Sequence, residues 1–255
     1  MGNKQDYIAV FDSGVGGISV LRQLRRVLPQ EKYLYFGDSA NAPYGTRPRE
    51  EIRNLTLAAA EKLVTQGIKA LVIACNTATS AAMEALKEKY PYLIVLGIEP
   101  ALSIAAENHP GGHIGVLATP ATLTGAKFLN GKRQYEKVCR ITPIPAPGLM
   151  DLVEAGRYNS PEADMLLHTL LDPFAGTLDA VVLGCTHYPF VEAPLRRVLG
   201  DKVALIDGAV LTAQQTRQAL EKADLLWDGE GEVVFQNSLN DPRMIRLSRQ
   251  LAGLE

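Results

Sequence analysis

Two cysteines stand where the sequence predicts the end of a buried strand. Cys75 follows the apolar run Leu71–Ala74, and Cys185 follows Val181–Gly184, each before a segment predicted to be helical. A helix N-terminus stabilises negative charge and lowers the pKa of a cysteine, which favours the thiolate. The pattern therefore predicts two activated thiols that could act as bases or nucleophiles.

The third cysteine is interpreted differently. A cysteine after an apolar strand is usually a small buried side chain without a chemical role, but two in equivalent places favour a functional pair. Cys139 lies inside a strand-like run without comparable polar neighbours, and we interpret it as structural. Three cysteines without CxxC spacing fit neither a disulfide framework nor a zinc site, so a reducing compartment is expected.

Other polar residues lie at predicted strand ends or in the loops that follow them. The glycines of Asp12–Gly17 let backbone amides approach a carboxylate or phosphate, although a tight turn explains them equally well. The loop Ser39–Arg47 could carry ligand contacts or be a plain surface connection. His187 shares a motif with Cys185 and could donate to a carboxylate or move a proton. Glu154 is typical of an ordinary helix carboxylate.

The elements that must position these residues alternate between short β-branched runs and longer segments of helical spacing. Such alternation predicts an α/β fold with parallel sheets. The predicted strands are Tyr7–Phe11, Lys32–Phe36, Ala70–Ala74, Leu93–Gly97, Ile114–Ala118, Val138–Thr142, Ala180–Leu183, Val203–Ile206 and Val233–Gln236.

Strand starts at residues 7, 32, 70 and 93 recur at a near-constant offset at 114, 138, 180 and 203. We interpret this as an internal duplication, in which Asp12 and Thr119 close equivalent strands. The predicted first lobe is 1–97 plus 212–255, and the second is 98–211. Because ligands bind at the carboxyl ends of parallel strands, we expect the two cysteines on opposite walls of a cleft between facing lobes.

Composition excludes several classes of protein. The 255 residues are 47% hydrophobic and 21% charged, with a formal net charge of −2, so no global field favours nucleic acid or an anionic membrane. No apolar run approaches the ~18 residues of a membrane span. The chain begins shortly before its first strand and carries no predicted export signal. Histidine spacing predicts no metal site, which leaves a small molecule as the expected partner.

Five segments carry a resemblance to a known family. The chain is similar to the glutamate racemases, within the aspartate/glutamate racemase superfamily, and the two cysteine motifs are the most specific. The segments span most of the chain in the family's order: Asp12–Gly17, Pro43–Gly45, Cys75–Thr77, Glu99–Pro100 and Gly184–Pro189.

The resemblance implies two similar parallel-sheet α/β lobes related by pseudo-twofold symmetry, with no pyridoxal phosphate, other cofactor or metal. It implies conversion of glutamate between enantiomers for bacterial peptidoglycan, in the cytoplasm, without an activator and as a possible homodimer. The implied catalytic residues are Cys75, Cys185, Asp12, His187 and Glu154. The implied substrate-binding residues are Asp12, Ser13, Tyr44, Gly45, Asn76, Thr77, Thr186 and His187.

Racemisation needs a base on one face of Cα and an acid on the other, which a thiolate and a thiol supply. Three alternatives remain open. An aspartate racemase differs by one methylene of substrate, worth only ~1–3 kcal/mol in a pocket. A cysteine-nucleophile hydrolase needs one essential thiol and a covalent intermediate. A non-catalytic carboxylate- or phosphate-binding module needs neither thiol.

Overall fold

The computed structural model describes residues 2–99 and 101–254, and its contacts divide the chain into two compact units. Unit 1 is Met1–Glu99 with Ala209–Glu255, and unit 2 is Pro100–Gly208. The chain thus leaves unit 1 after Glu99 and returns to it at Ala209, whereas the sequence placed these boundaries at 97 and 212. Pro100, part of one family-like motif, lies outside the described residues.

The strands in chain order are β1 Tyr7–Asp12, β2 Lys32–Gly37, β3 Ile68–Ile73, β4 Ile94–Gly97, β5 His113–Ala118, β6 Arg140–Pro145, β7 Ala180–Leu183, β8 Ala204–Ile206 and β9 Glu232–Asn237. The helices are α1 Ile18–Val27, α2 Arg49–Val64, α3 Asn76–Lys89, α4 Ala101–Asn108, α5 Pro120–Thr124, α6 Ala126–Tyr135, α7 Leu149–Glu154, α8 Pro161–Leu171, α9 Glu192–Leu199, α10 Ala209–Lys222 and α11 Pro242–Ala252. Short 3₁₀ helices cover Ser39–Asn41, Tyr44–Thr46, Asp172–Phe174 and Tyr188–Val191.

The sheets confirm the α/β prediction and repeat one strand order. Unit 1 has the order β4-β3-β1-β2-β9, and unit 2 has β6-β5-β7-β8. Read from β8, unit 2 runs β8-β7-β5-β6 and matches β4-β3-β1-β2 strand for strand. Every pairing between these strands is parallel. The duplication indicated by the spacing of the strands is therefore a repeated sheet topology.

The central strands form the core because helices cover both of their faces. In β1 and β3 the apolar side chains are almost fully buried, as are those of β5 and β7. Such continuous burial explains why these strands have unbroken apolar runs rather than alternating ones. The helices follow the strands with core-facing residues at helical spacing, as with Ile18, Leu21 and Leu24 in α1. No helix in the described part of the chain is long and apolar enough to cross a bilayer.

Candidate active site

The two cysteines occupy matching backbone positions in the two units. The residue before Cys75, Ala74, donates its N–H to the Phe11 oxygen at 2.8 Å. The residue before Cys185, Gly184, donates to the Leu117 oxygen at the same 2.8 Å. Both thiols thus lie at the carboxyl edge of their sheet, and both are buried, at 5% and 8% exposure. Ligands bind at this edge in open parallel sheets.

Strand register corrects one expected equivalence. Phe11 pairs with Ile73 in unit 1, and Leu117 pairs with Leu183 in unit 2. Counting one residue onward, Asp12 corresponds to Ala118, so the predicted match between Asp12 and Thr119 is wrong by one residue. Thr119 instead stands where unit 1 has Ser13. Unit 2 therefore has no carboxylate at the Asp12 position.

Cys75 is the N-cap of α3. Its Sγ accepts a hydrogen bond from the Ala78 N–H at 3.4 Å, and the Ser13 hydroxyl lies 3.5 Å from the same sulfur. The positive end of the helix and this N–H both stabilise negative charge on the sulfur.

The N-cap also explains where α3 begins. Asn and Thr are weak helix formers, so helix propensity alone does not favour a helix that begins at Asn76. In the structure Thr79 donates its N–H to the Cys75 oxygen and its hydroxyl to the Ile73 oxygen. These bonds extend the helix back to Asn76, so that Asn76 and Thr77 form its first turn beside the thiol.

Asp12 ends β1 and is completely buried. Its Oδ1 accepts the Gly14 N–H at 3.0 Å, which folds the following loop back over the carboxylate. Gly17 permits this close packing: a Cβ there would lie 2.6 Å from the Asp12 Cβ and 2.9 Å from the Ala74 Cβ. The glycine-rich segment is thus a tight turn that holds Asp12 and Ser13 next to the Cys75 strand.

Tyr44 and Gly45 are buried in the loop after β2, within the 3₁₀ helix Tyr44–Thr46. The Tyr44 hydroxyl donates to Asp38 Oδ2 at 2.7 Å. Burial first, and then this bond, raises the pKa of Tyr44 above its ordinary value, with Cys75 and Asp12 adding to the effect. Tyr44 is therefore a neutral phenol among the unit 1 site residues.

Asp38 is a residue of this site that the sequence pattern does not single out. It is a buried carboxylate at the end of β2, the strand beside β1. The available signal was an acidic residue close to the end of a predicted strand, as with Asp12, although Asp38 lies two residues beyond the predicted end at Phe36.

The surroundings of Cys185 differ from those predicted. No α-helix begins at this cysteine: a tight turn, with the Tyr188 N–H bonded to the Cys185 oxygen at 3.1 Å, leads into the 3₁₀ helix Tyr188–Val191. The α-helix that follows, α9, starts only at Glu192. The prediction of a helix N-terminus at Cys185 is therefore wrong, because Pro189 lies in a 3₁₀ turn instead of opening an α-helix.

A histidine and a glutamate take the place of the helix end. His187 is 1% exposed, its Nδ1 lies 3.6 Å from the Cys185 Sγ, and its Nε2 lies 2.7 Å from Glu154 Oε1. Burial lowers the pKa of His187, but the hydrogen bonds to Cys185 and Glu154 outweigh it and hold the pKa well above its usual range. The group is a Cys–His–Glu relay that can share a proton with the thiol.

The predicted site residues thus fall into two groups, one at the carboxyl edge of each sheet. Unit 1 brings together Asp12, Ser13, Tyr44, Gly45, Cys75, Asn76 and Thr77; unit 2 brings together Glu154, Cys185, Thr186 and His187. Among the described residues, no cluster of three or more His, Cys, Asp or Glu could hold a metal ion. Each group contains one thiol with its own hydrogen-bonding partner.

Comparisons with known proteins agree with the resemblance. The Asp/Glu/Hydantoin racemase family model matches residues 17–216. The glutamate racemase of Clostridium acetobutylicum is 45% identical over 257 residues, covering 100% of both chains. The crystal structure of glutamate racemase from Thermus thermophilus in complex with β-chloro-D-alanine is 37% identical, with a TM-score of 0.80, and the match covers 99% of this chain and 93% of that one. Glutamate racemase from Francisella tularensis in complex with D-glutamate has a TM-score of 0.86 at 27% identity, over 99% and 95% of the two chains.

Proposed function

The chain belongs to the Asp/Glu/hydantoin racemase family, and on this premise we propose that it interconverts L- and D-glutamate without a cofactor, using Cys75 and Cys185 as the two proton-transfer groups. The observation that carries the proposal is the matching position of the two thiols, each one residue beyond an equivalent backbone hydrogen bond. The choice of glutamate follows the names of full-length relatives such as the one at 45% identity.

The chemistry requires one sulfur as thiolate and the other as thiol. The thiolate removes the Cα proton from one face of the substrate, and the thiol delivers a proton to the opposite face. The reverse reaction exchanges the two roles, so that both enantiomers are substrates. The two environments, the α3 N-terminus at Cys75 and His187 at Cys185, support this assignment because each places a hydrogen-bonding partner beside the sulfur.

The remaining site residues take supporting roles in the proposal. Asp12 and His187 assist proton transfer at Cys75 and Cys185 respectively, and Glu154 orients His187 through the 2.7 Å contact. Negative charge that develops at Cα is stabilised by preorganised donors, for which the hydroxyls of Ser13, Thr77 and Thr186 are available. The proposed substrate-binding residues are Asp12, Ser13, Tyr44, Gly45, Asn76, Thr77, Thr186 and His187.

We also propose a metabolic role, a location and an oligomeric state for the protein. The product D-glutamate would be consumed in peptidoglycan synthesis, and the protein would act in the cytoplasm as a homodimer. Light scattering coupled to size-exclusion chromatography of the purified protein tests the dimer directly, since a mass of 27.6 kDa contradicts it.

The experiment that tests the activity is polarimetry of L-glutamate incubated with the purified protein and no added cofactor. Optical rotation should decay to zero with the wild type and stay constant with the Cys75→Ser, Cys185→Ser double variant. L-aspartate under the same conditions should lose rotation far more slowly. A faster decay with aspartate overturns the choice of substrate, and constant rotation with both amino acids overturns the racemase assignment.

A further inference from the structure

Asp38 is a buried carboxylate that the proposed mechanism does not use. It lies directly after β2, is 4% exposed, and donates its N–H to the Asp12 oxygen at 2.9 Å. Its backbone therefore continues the β1–β2 pairing one residue beyond the sheet. A buried carboxylate is costly unless hydrogen-bond donors surround it, so its donors indicate what it holds in place.

All of the contacts made by its side-chain oxygens go to the loop that follows. The Asn41 amide nitrogen lies 3.0 Å from both carboxylate oxygens, and the Tyr44 hydroxyl donates to Oδ2 at 2.7 Å. Asn41 in turn accepts a hydrogen bond from Arg47 Nε on its backbone oxygen at 2.9 Å. One carboxylate at the end of a rigid strand thus anchors both the beginning and the middle of the loop 39–47.

The Tyr44 anchor fixes a neighbour of the reactive thiol. Tyr44 is 1% exposed and packs in the same apolar cluster as Cys75 and Phe11, with its ring centroid 6.4 Å from that of Phe11. Since its one hydroxyl hydrogen is directed to Asp38, the ring and the adjacent Gly45 backbone are held in a single arrangement. Binding groups that are ordered beforehand lose less conformational entropy when a ligand arrives.

We propose that Asp38 is a positioning residue for substrate binding, because its carboxylate holds the Tyr44–Gly45 segment and Asn41 in the arrangement that receives the substrate. The inference rests on the proposed function. Asp38 does not touch the substrate in this account: its oxygens are occupied by Asn41 and Tyr44, and it acts through them.

The kinetic test uses Asp38→Ala and Asp38→Asn. Hydrogen bonds to a charged group contribute about 1.5–3 kcal/mol, so Asp38→Ala should raise the KM for glutamate by about 10-fold or more, with kcat within about threefold of wild type. Asp38→Asn keeps one acceptor oxygen and should rescue most of the loss. Tyr44→Phe should raise KM in the wild-type background but add little to Asp38→Ala, because the bond is already lost.

A matched control is Asp179→Ala in unit 2. Asp179 also accepts a backbone N–H, from His113 at 2.7 Å, but it stands just before β7 at the other end of the strand from Cys185. Its variant should leave KM unchanged. Unchanged KM in Asp38→Ala, a fall confined to kcat, or full additivity with Tyr44→Phe would each overturn the positioning role.

Amide hydrogen exchange measures the ordering of the loop 39–47 without any substrate. Exchange of residues 39–47 should be faster in Asp38→Ala than in wild type, while exchange of β1 and β3 stays the same. If the wild type fails to racemise glutamate, the proposed function fails even when this exchange result holds. If the wild type is active and either the exchange of residues 39–47 or the KM of Asp38→Ala equals that of wild type, only the positioning inference fails.

Discussion

Cys75 and Cys185 follow matching strands of a repeated sheet, but different groups surround the two sulfurs. The partners around Cys75 include a backbone N–H in the first turn of α3 and the Ser13 hydroxyl. Around Cys185 the partner is His187, backed by Glu154. The first environment has no group that titrates near neutral pH among these donors, whereas the second contains an imidazole. Duplication thus retained the position of the thiol while its means of activation changed.

The two thiol environments should respond differently to pH. The α3 N-terminus and the Ala78 N–H beside Cys75 are fixed dipoles, which do not respond to pH. Beside Cys185 the charged partner is the His187 imidazolium, which loses its charge as the pH rises through its raised pKa. We therefore expect pH and mutation to affect proton transfer on the Cys185 side most, although the two thiols serve one reaction.

The largest effect is expected from removing either thiol. Cys75→Ser or Cys185→Ser should lower the rate of racemisation by about 10²–10⁴-fold, the range typical for loss of a general acid or base. The thiol that remains can still remove and return a proton on its own face. Each single variant should therefore exchange the α-hydrogen of one enantiomer with solvent, and the enantiomer should differ between the two variants, as followed by NMR in D₂O.

Cys139→Ser is the matched control for these variants. Cys139 is buried in unit 2, and its sulfur donates to the Tyr135 oxygen, which a serine hydroxyl can also do. Its racemisation rate should equal that of wild type. If Cys139→Ser lowers the racemisation rate as much as Cys75→Ser does, or if Cys185→Ser is fully active, the pairing of Cys75 with Cys185 is contradicted.

A smaller effect, about 10- to 100-fold in kcat, is expected for His187→Asn, since hydrogen bonds to charged groups contribute about 1.5–3 kcal/mol. Proton transfer at Cys185 then becomes the slower step. The primary isotope effect measured with α-deuterated glutamate should rise for the enantiomer that Cys185 deprotonates and fall for the other enantiomer.

Ser13→Ala perturbs the surroundings of Cys75 instead of those of Cys185. It removes the hydroxyl 3.5 Å from the Cys75 sulfur, so any change in the isotope effects should have the opposite pattern between enantiomers. If His187→Asn and Ser13→Ala shift the isotope effects in the same direction for a given enantiomer, His187 and Ser13 do not act on separate thiols.

The smallest expected effect concerns stability. The folded-state pKa of His187 is raised above its ordinary value near 6.5, so its pairing with Glu154 contributes stability fully below pH ~6.5 and loses it as pH rises through the raised pKa. Glu154→Gln should lower Tm by about 2–4 °C for each kcal/mol of unfolding free energy that is lost. Calorimetry should find a larger decrease in Tm at pH 6 than at pH 10.

The exposed pair of His168 and Asp172, 2.9 Å apart, is the control for this effect. Because exposed ion pairs contribute little, Asp172→Asn should change Tm only slightly at either pH. If the decrease in Tm caused by Glu154→Gln grows as the pH rises, stability depends on pH in the opposite direction, which contradicts the raised pKa of His187.

Much of the fold could be predicted from the sequence because parallel strands buried on both faces have unbroken apolar runs. The alternation of these runs with helical spacing indicated the α/β class, and their repeat indicated the matching of Cys75 and Cys185. The residues nearest the thiols were identified because they stand next to strand ends.

The remaining features of the site depend on contacts that sequence spacing does not encode. Glu154 meets His187 across 33 residues of chain, and a helix carboxylate gives no local sign of such a partner. The sequence does not predict the 3₁₀ turn at Pro189 or the capping of α3 by the Cys75 sulfur, because both are set by local hydrogen bonds. Asp38 was missed because its role depends on Tyr44 and Asn41 folding back onto it.

The most direct test of the two-thiol account is the fate of the α-hydrogen when L-glutamate is converted in D₂O. Mass spectrometry of the separated enantiomers at early times should find deuterium at Cα of nearly all D-glutamate formed and almost none in the remaining L-glutamate, because one thiol removes the proton and the other delivers deuterium. Unlabelled D-glutamate, formed by transfer of the original hydrogen from one face to the other, would contradict the account.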